Sequence, residues 1–436
     1  MTETTLHRFE APDEEYLTFT HNSGLRVFYS QKDFRNTYVV LGVNFGSVDE
    51  QLPLEGGPLP TGCAHFLEHK MFENPDGEDT FLKFSRVGAS ANAYTAHERT
   101  CYLFSTSEQV EEALAILLES VFTPHFTPEN VRKEKGIIVE EINMYKDDPG
   151  DALYHALLKG LYEHCPVREN ICGGISSVRQ MTSDTLYRAY NAYYRPDNMV
   201  LSICGKCDLA RLEALLDATL PQRPTMPLVK KEYPLEKKDC HRRFVRIFRD
   251  VATPMTAIGI KVPPFCGSAE ERIGRFAAMC LLAQALFSPG SPFVGRLKEE
   301  NLIPDEPSYE LSDRSCFAHI LFFADCYDPS ALFALFDRQI KEIVKEGIDE
   351  DTFLRCKRVL YAEHLEEFNS TEDTAALYLG DALEGCDGID YSAILHSITR
   401  EEVNDLARSL LKKEKICKCR LLPYEYRKEH NNDCNS

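Results

Sequence analysis

The chain lacks several features that would place it at once. No run of about 18 apolar residues occurs in its 436 positions, so no membrane span is expected. Positive charge is scarce: 49 Lys and Arg against 69 Asp and Glu leave a net −20. That balance argues against nucleic acid or an anionic membrane as partner, because both select a positive face. A second CxxC is missing. Cys204-Gly-Lys-Cys207 stands alone, reads as a strand end and turn after MVLSIC, and cannot make a four-cysteine metal site. The opening MTETTLHRFEAPDEEY has no apolar stretch of the kind a secretory signal needs. The 16 cysteines are scattered without small-domain disulfide spacing, and the expectation is reduced thiols in a cytoplasmic protein.

What is present is ordinary soluble-protein composition, 43% hydrophobic and 27% charged, in a length suited to two or three domains. LRVFYS and TYVVLGVNFGSV read as strands, and SANAYTAHERTCYLFSTS as a strand pair. A Gly/Pro-rich connector, 52–62, leads to a helix over 64–72 with Thr61 as a possible N-cap. Thr127-Pro128-Glu129 opens a helix predicted to run to about 147, and further helices follow over 151–162 and 183–193. A Pro- and Lys-rich stretch then reads as a linker, after which strands (244–249, 256–262, 316–325) and helices (270–286, 329–346, 349–368, 400–411) begin again. KICKCRLL near the end reads as a strand with Cys417 and Cys419 on one face. The expected architecture is α+β, two tandem related domains, each a mainly antiparallel sheet packed with helices. The boundaries fall at 1–222, a linker 223–238, and 239–436.

His65-Phe-Leu-Glu68-His69 is the most informative segment. Four residues along a helix is about 40° around its axis, so both imidazoles share a face. Two imidazoles at that spacing can bind one metal ion, and Glu68 beside them can take a proton from an attacking water. With 13 histidines and 69 acids, chance supplies the pattern fewer than about 0.1 times in this chain. A catalytic zinc takes three protein ligands. The helix from Thr127 carries Glu134, Glu140 and Glu141. Glu134 and Glu141 lie within about 20° of each other, and Glu140 points about 100° away. One face thus presents two carboxylates, one able to ligate and one to support. Solvated charges on an exposed helix remain open on the residues alone.

GCAHFLEHKMFEN, KEKGIIVEEINMYKDDP, GASANAYTAHERTCYLFS and YYRPDNMVLSICGKCD together resemble the M16 (insulinase/pitrilysin-type, inverzincin) zinc metallopeptidases, above all the bacterial subgroup with subunits near 50 kDa. The resemblance implies one zinc ion bound by His65, His69 and Glu141, with Glu68 as general base and Glu134 as the supporting carboxylate. It implies that Ala91-Asn92-Ala93-Tyr94-Thr95 is an edge strand on which a peptide adds as a further strand, with Asn92 and Ala93 touching substrate. Lys70, beside the motif, is expected to be solvated. His97, His125 and His155 are expected to be ordinary histidines.

The second half has no HxxEH, so at most one such centre is expected per chain. Many active relatives also use an Arg and a Tyr seven residues apart to bind the substrate carbonyl. Here Arg296 is followed seven residues later by Ile303, Lys298 by Asp305, and Tyr309 lies too far along. The expectation is therefore a heterodimer with a paralogous M16 subunit that supplies the pair, a homodimer being the weaker reading. The expected activity is cleavage of short unstructured peptides inside a closed chamber. The alternatives are a non-catalytic peptide-binding or assembly subunit and a zinc hydrolase of non-peptide substrates.

Overall fold

A computed structural model describes residues 4–9, 12–75, 77–222, 226–265 and 267–426. Its first sheet has seven strands: β1 (Thr5–Phe9), β2 (Glu14–Thr20), β3 (Arg26–Gln31), β4 (Thr37–Val43), β5 (Ser90–Thr95), β6 (Thr100–Thr106) and β7 (Met199–Gly205). Their order is β1-β2-β3-β7-β4-β6-β5. Every pairing is antiparallel except β3 with β7. The second sheet holds β8 (Phe244–Arg249), β9 (Met255–Val262), β10 (Ser308–Asp313), β11 (Ala318–Asp325) and β12 (Ile416–Pro423) in the order β10-β11-β9-β12-β8. Only β12 with β8 is parallel there. The architecture is α+β, two mainly antiparallel sheets with helices.

Residues up to Ile142, Asn170–Glu232 and Glu363–Asp390 form one compact unit. Asn143–Glu169, Tyr233–Ala362 and the residues from Tyr391 onward form the other. These units cut across the boundaries read from sequence, 1–222 and 239–436. The reason lies in the sheets. Every residue of β4 and β7 is buried, so the first sheet needs cover on both faces. One face packs the large core that includes Phe66, Leu67, Leu114 and Leu118. The other is covered by Phe368, Ala375, Tyr378, Leu379 and Ala382, on or just before helix Thr371–Glu384. In the second unit, helix Pro149–Leu161 packs on β9 and β12.

Each arrangement uses a strand glycine. A Cβ on Gly42 of β4 would stand 2.8 Å from Leu379 Cδ1, and one on Gly259 of β9 would stand 2.8 Å from Leu161 Cδ1. Glycine lets the covering helix come close to the sheet in both units.

The linker read at 223–238 is partly outside the described residues, at 223–225, and its remainder is anchored. In the first unit Arg195 donates to the carbonyl of Pro227 at 3.1 Å, and Lys231 reaches Asp49 Oδ2 at 3.0 Å. In the second unit the Glu236 carboxylate accepts from Lys261 Nζ at 2.8 Å and from the backbone N–H groups of Glu163, His164 and Cys165.

The stretch Ala269–Glu299 is long and apolar enough to cross a membrane on composition alone. It comprises two helices, Ala269–Phe287 and Pro292–Glu299, and its apolar residues from Ala277 to Phe287 are in the second unit's core.

Candidate metal centre

The HxxEH segment lies on helix Cys63–Lys70 in the first unit. Thr61 does not cap it. The N-cap is Gly62, in the left-handed region at φ +88°, and it offers no side chain. The buried carboxylate of Glu50 takes over, accepting from the Gly62 N–H and the Ala64 N–H at 2.9 Å each. A side-chain oxygen at a helix N-terminus satisfies orphan donors whether or not the carboxyl is ionised. Gly62 is required twice over, because a Cβ there would lie 2.3 Å from the Cys172 carbonyl oxygen. Gly173, at φ +73°, reciprocates: its Cβ would lie 2.2 Å from the Thr61 carbonyl oxygen. The backbone at 172–173 is thereby pressed onto the start of the motif helix. Thr61 instead donates to Ser177 Oγ at 2.9 Å, on the short helix Ile175–Gln180 that follows.

Helix Pro128–Asp147 brings the carboxylates. Glu141 presents one oxygen to each imidazole: Oε1 lies 3.5 Å from His65 Nε2, and Oε2 lies 3.5 Å from His69 Nε2. Glu134 is buried and its Oε1 sits 3.0 Å from His69 Nδ1. Glu140 is exposed, on the other side of the helix. Burial alone would lower the basicity of His69. The Glu134 hydrogen bond and the charges of Glu68, Glu134 and Glu141 outweigh it, so its pKa is raised. Burial pushes Glu134 up, and its contacts with His69 and Lys70 pull it further down.

Lys70 differs from expectation. It is fully buried, paired with Glu73 and 3.5 Å from Glu134 Oε2. A helix whose acids must face inward needs a buried cation nearby, since unpaired buried charge is expensive.

Glu68 lies within donor reach of both histidines, and its Oε2 accepts from Thr95 Oγ1 at 3.1 Å. Thr95 ends β5, the edge strand of the sheet. Asn92 is exposed on β5, and Ala93, half-buried, gives its N–H to the Asn92 side chain at 2.9 Å. Cys172 completes a second donor group with His65 and Glu141. Among the described residues, His97, His125 and His155 belong to no such group. His97 meets Ser47 Oγ at 3.0 Å and His155 pairs with Asp151.

The donor chemistry fits a zinc ion. Ligand atoms about 2.0 Å from a tetrahedral metal lie about 3.3–3.5 Å apart, close to the two 3.5 Å separations seen. With Nδ1 of His69 on Glu134, its Nε2 is left facing Glu141, and a cation is what such a pair lacks. Sequence reasoning placed the motif residues but missed Glu50, Thr95 and Cys172. Thr95 is the last residue of the quoted edge strand, with no role assigned to it there. Nothing in the local pattern marks the other two.

Comparison with known proteins agrees. The family model for insulinase (peptidase family M16) matches residues 26–173, and that for the peptidase M16 inactive domain matches 180–360. The chain is 33% identical over 413 residues to YmfH, an uncharacterized zinc protease of Bacillus subtilis, covering 92% of this chain and 95% of that one. The crystal structure of an M16-like peptidase from Alicyclobacillus acidocaldarius superposes with TM-score 0.90 at 30% identity, over 94% of this chain and 98% of that one. The periplasmic protease PqqL of Escherichia coli shares the fold, with TM-score 0.75 at 18% identity, over 95% of this chain and 48% of PqqL. These define the class as peptidases of tandem domains. The chain belongs to peptidase family M16, the insulinase family, and the zinc proteases among its relatives make zinc the metal implied.

Proposed function

We propose that the chain is a zinc-dependent endopeptidase for short, unstructured peptides. The observation that carries this is the position of Glu68. Its carboxylate is held by Thr95 at the end of an edge strand, beside two imidazoles that both face Glu141. His65, His69 and Glu141 would hold the ion, which when bound polarises the scissile carbonyl and makes water more acidic. A peptide would pair along β5, whose outer edge carries Asn92 and Ala93, and backbone pairing would align its amide bond near Glu68. Glu68 then accepts a proton from the attacking water on its carboxylate and returns it to the leaving amine. Glu134 keeps His69 oriented through Nδ1.

The test is digestion of a mixed pool of unstructured peptides, read by mass spectrometry, by wild type, Glu68→Gln and chelated protein. Cleavage by wild type alone is expected, with Glu68→Gln retaining its metal while turnover falls about 10²–10⁴-fold. An active Glu68→Gln enzyme would overturn the assignment.

We further propose that full activity requires a paralogous M16 subunit supplying the Arg/Tyr pair. Arg296 is engaged within its own unit, 3.0 Å from Glu342 and 3.4 Å from Gln339, and Lys298 pairs with Glu306. That PqqL is about twice the span matched here fits a peptidase made of two such modules. Cleavage by the metal-loaded chain that rises when a paralogous subunit is added supports the partner requirement; full activity of the isolated chain would refute it. A non-catalytic role in such a pair is the alternative, favoured by those engaged basic residues.

A further inference from the structure

Two cysteines of the second unit meet sulfur to sulfur. Cys165 follows helix Pro149–Leu161, and Cys316 lies just before β11. Their Sγ atoms are 3.8 Å apart, and Cys165 Sγ is also 3.5 Å from the Cys316 carbonyl oxygen. They are 1% and 5% exposed, and both are thiols in this structure. We propose that Cys165 and Cys316 are a redox-modification site: a disulfide forms between them when the chain meets a small disulfide oxidant, and it stabilises the second unit.

Contacts of the flanking main chain carry the assignment. The Tyr162 hydroxyl donates to the Ala318 carbonyl at 2.8 Å and sits 3.0 Å from His319 Nδ1, so residues 162–165 run beside 316–319. The Cys165 N–H donates to the Glu236 carboxylate at 2.8 Å, and the Arg314 N–H donates to the Phe317 carbonyl at 2.8 Å, closing the turn that carries Cys316. With both main chains held, going from 3.8 Å to the about 2.05 Å of a disulfide asks chiefly for rotation about the two Cα–Cβ bonds. The CxxC motif is placed differently. Cys204 packs with Tyr378 and Leu379 on one face of the first sheet, whereas Cys207 packs against the core on the other.

Oxidised glutathione represents the oxidant class. One cysteine thiolate attacks its disulfide, giving a mixed disulfide and one glutathione thiol; the other cysteine then displaces the second glutathione. The glutathione S–S bond breaks and a Cys165–Cys316 bond forms. Two electrons pass to glutathione, and the two cysteine protons end on its two thiols. Burial makes the attack wait for local opening, so exchange is slow in the folded chain. Once formed, the bond joins residues 151 positions apart and takes conformational freedom from the unfolded chain. At a reducing poise the pair is the dithiol described here.

Redox titration tests this without reference to the metal centre or to turnover. Purified full-length wild type, Cys165→Ser and Cys316→Ser would be equilibrated in glutathione buffers of graded ratio until the thiol count is constant, then alkylated. Circular dichroism would confirm folding, with Cys165→Ala and Cys316→Ala used where serine prevents it. Mass spectrometry of non-reduced peptides reads the bond, and thermal denaturation reads its effect. The expected result is a linked Cys165–Cys316 peptide in wild type and a melting midpoint about 5–10 °C higher oxidised than reduced, with that rise absent from every folded variant. Both cysteines remaining alkylatable in oxidised glutathione alone, linkage of either to a different cysteine, or a rise that survives the substitutions would overturn the proposal.

Discussion

Glu50 does at the residue scale what a capping side chain usually does locally. The two N–H bonds it accepts hold the first turn of the motif helix from 12 and 14 residues upstream, a separation that no capping pattern describes. Burial pushes its carboxyl up to about 8, with the Ala64 and Gly62 N–H groups pulling the other way. The protonated form is therefore well populated near neutrality, and an amide should imitate it. Glu50→Ala should cost about 1–3 kcal/mol by leaving those donors unmet, whereas Glu50→Gln should cost much less. Thermal denaturation of the two variants checks the ranking, and a zinc titration should find weaker binding in Glu50→Ala. Equal stabilities would mean the cap contributes nothing. Lys70 teaches a related lesson. Its place beside the motif suggested solvent, but it is fully buried at the end of the motif helix, paired with Glu73 and 3.5 Å from Glu134 on the neighbouring helix.

At the scale of elements, many helices and strands announced themselves by periodicity, the edge strands β5 and β8 among them, whereas β1, β2 and β10 did not. β1 and β2 were not foreseen, because Glu14, Glu15 and the half-exposed register blur the apolar alternation. Helix Thr371–Glu384 was missed for a different reason. Its buried positions are Thr371, Thr374, Ala375, Tyr378, Leu379 and Ala382, mostly small residues chosen for close approach to the sheet. Lys and Pro content made 223–238 look like a linker, yet Glu236 has a side chain only 3% exposed. Burial would raise its carboxyl, but Lys261 and three backbone N–H groups hold it down at about 2, below the usual 4.5. A depressed carboxylate stabilises the fold above its unfolded pKa and loses that contribution as pH falls through its folded one. The predicted loss is about 2–3 kcal/mol between pH about 4.5 and 2. Urea unfolding across that window should be steep for wild type and flatter for Glu236→Gln; parallel curves would contradict the assignment.

Each compact unit draws on separate stretches of the chain. Residues 363–390 complete the first unit, and 143–169 belong to the second. A fragment ending at 222 would therefore lack the helix that covers β4 and β7 and would leave Tyr16, Phe28, Tyr38 and Val40 uncovered. Such a fragment is expected to be insoluble or to melt without a cooperative transition, although it contains every expected zinc ligand. Circular dichroism and solubility of 1–222 against the full chain decide it, and a well-folded fragment would refute it. Metal removal from the full chain should lower thermal stability. The gain from bound metal is about 4 kcal/mol at a thousandfold excess over its dissociation constant, so a chelator that leaves the melting temperature unmoved would count against the centre.

The sequence by itself determined what a rigid local repeat can determine. His65, Glu68 and His69 share a helix, and Glu134 and Glu141 share a face of another, because an α-helix turns about 100° per residue whatever surrounds it. The two sheets, too, were legible in runs of β-branched and aromatic residues. Only the tertiary structure decided that those two faces meet, that Thr95 grips Glu68, that Glu50 caps the motif helix, and that Cys172 stands beside His65. These contacts join residues 12 to 107 positions apart. Their separations depend on strand register and on glycines that allow close backbone approach, and no local periodicity encodes either.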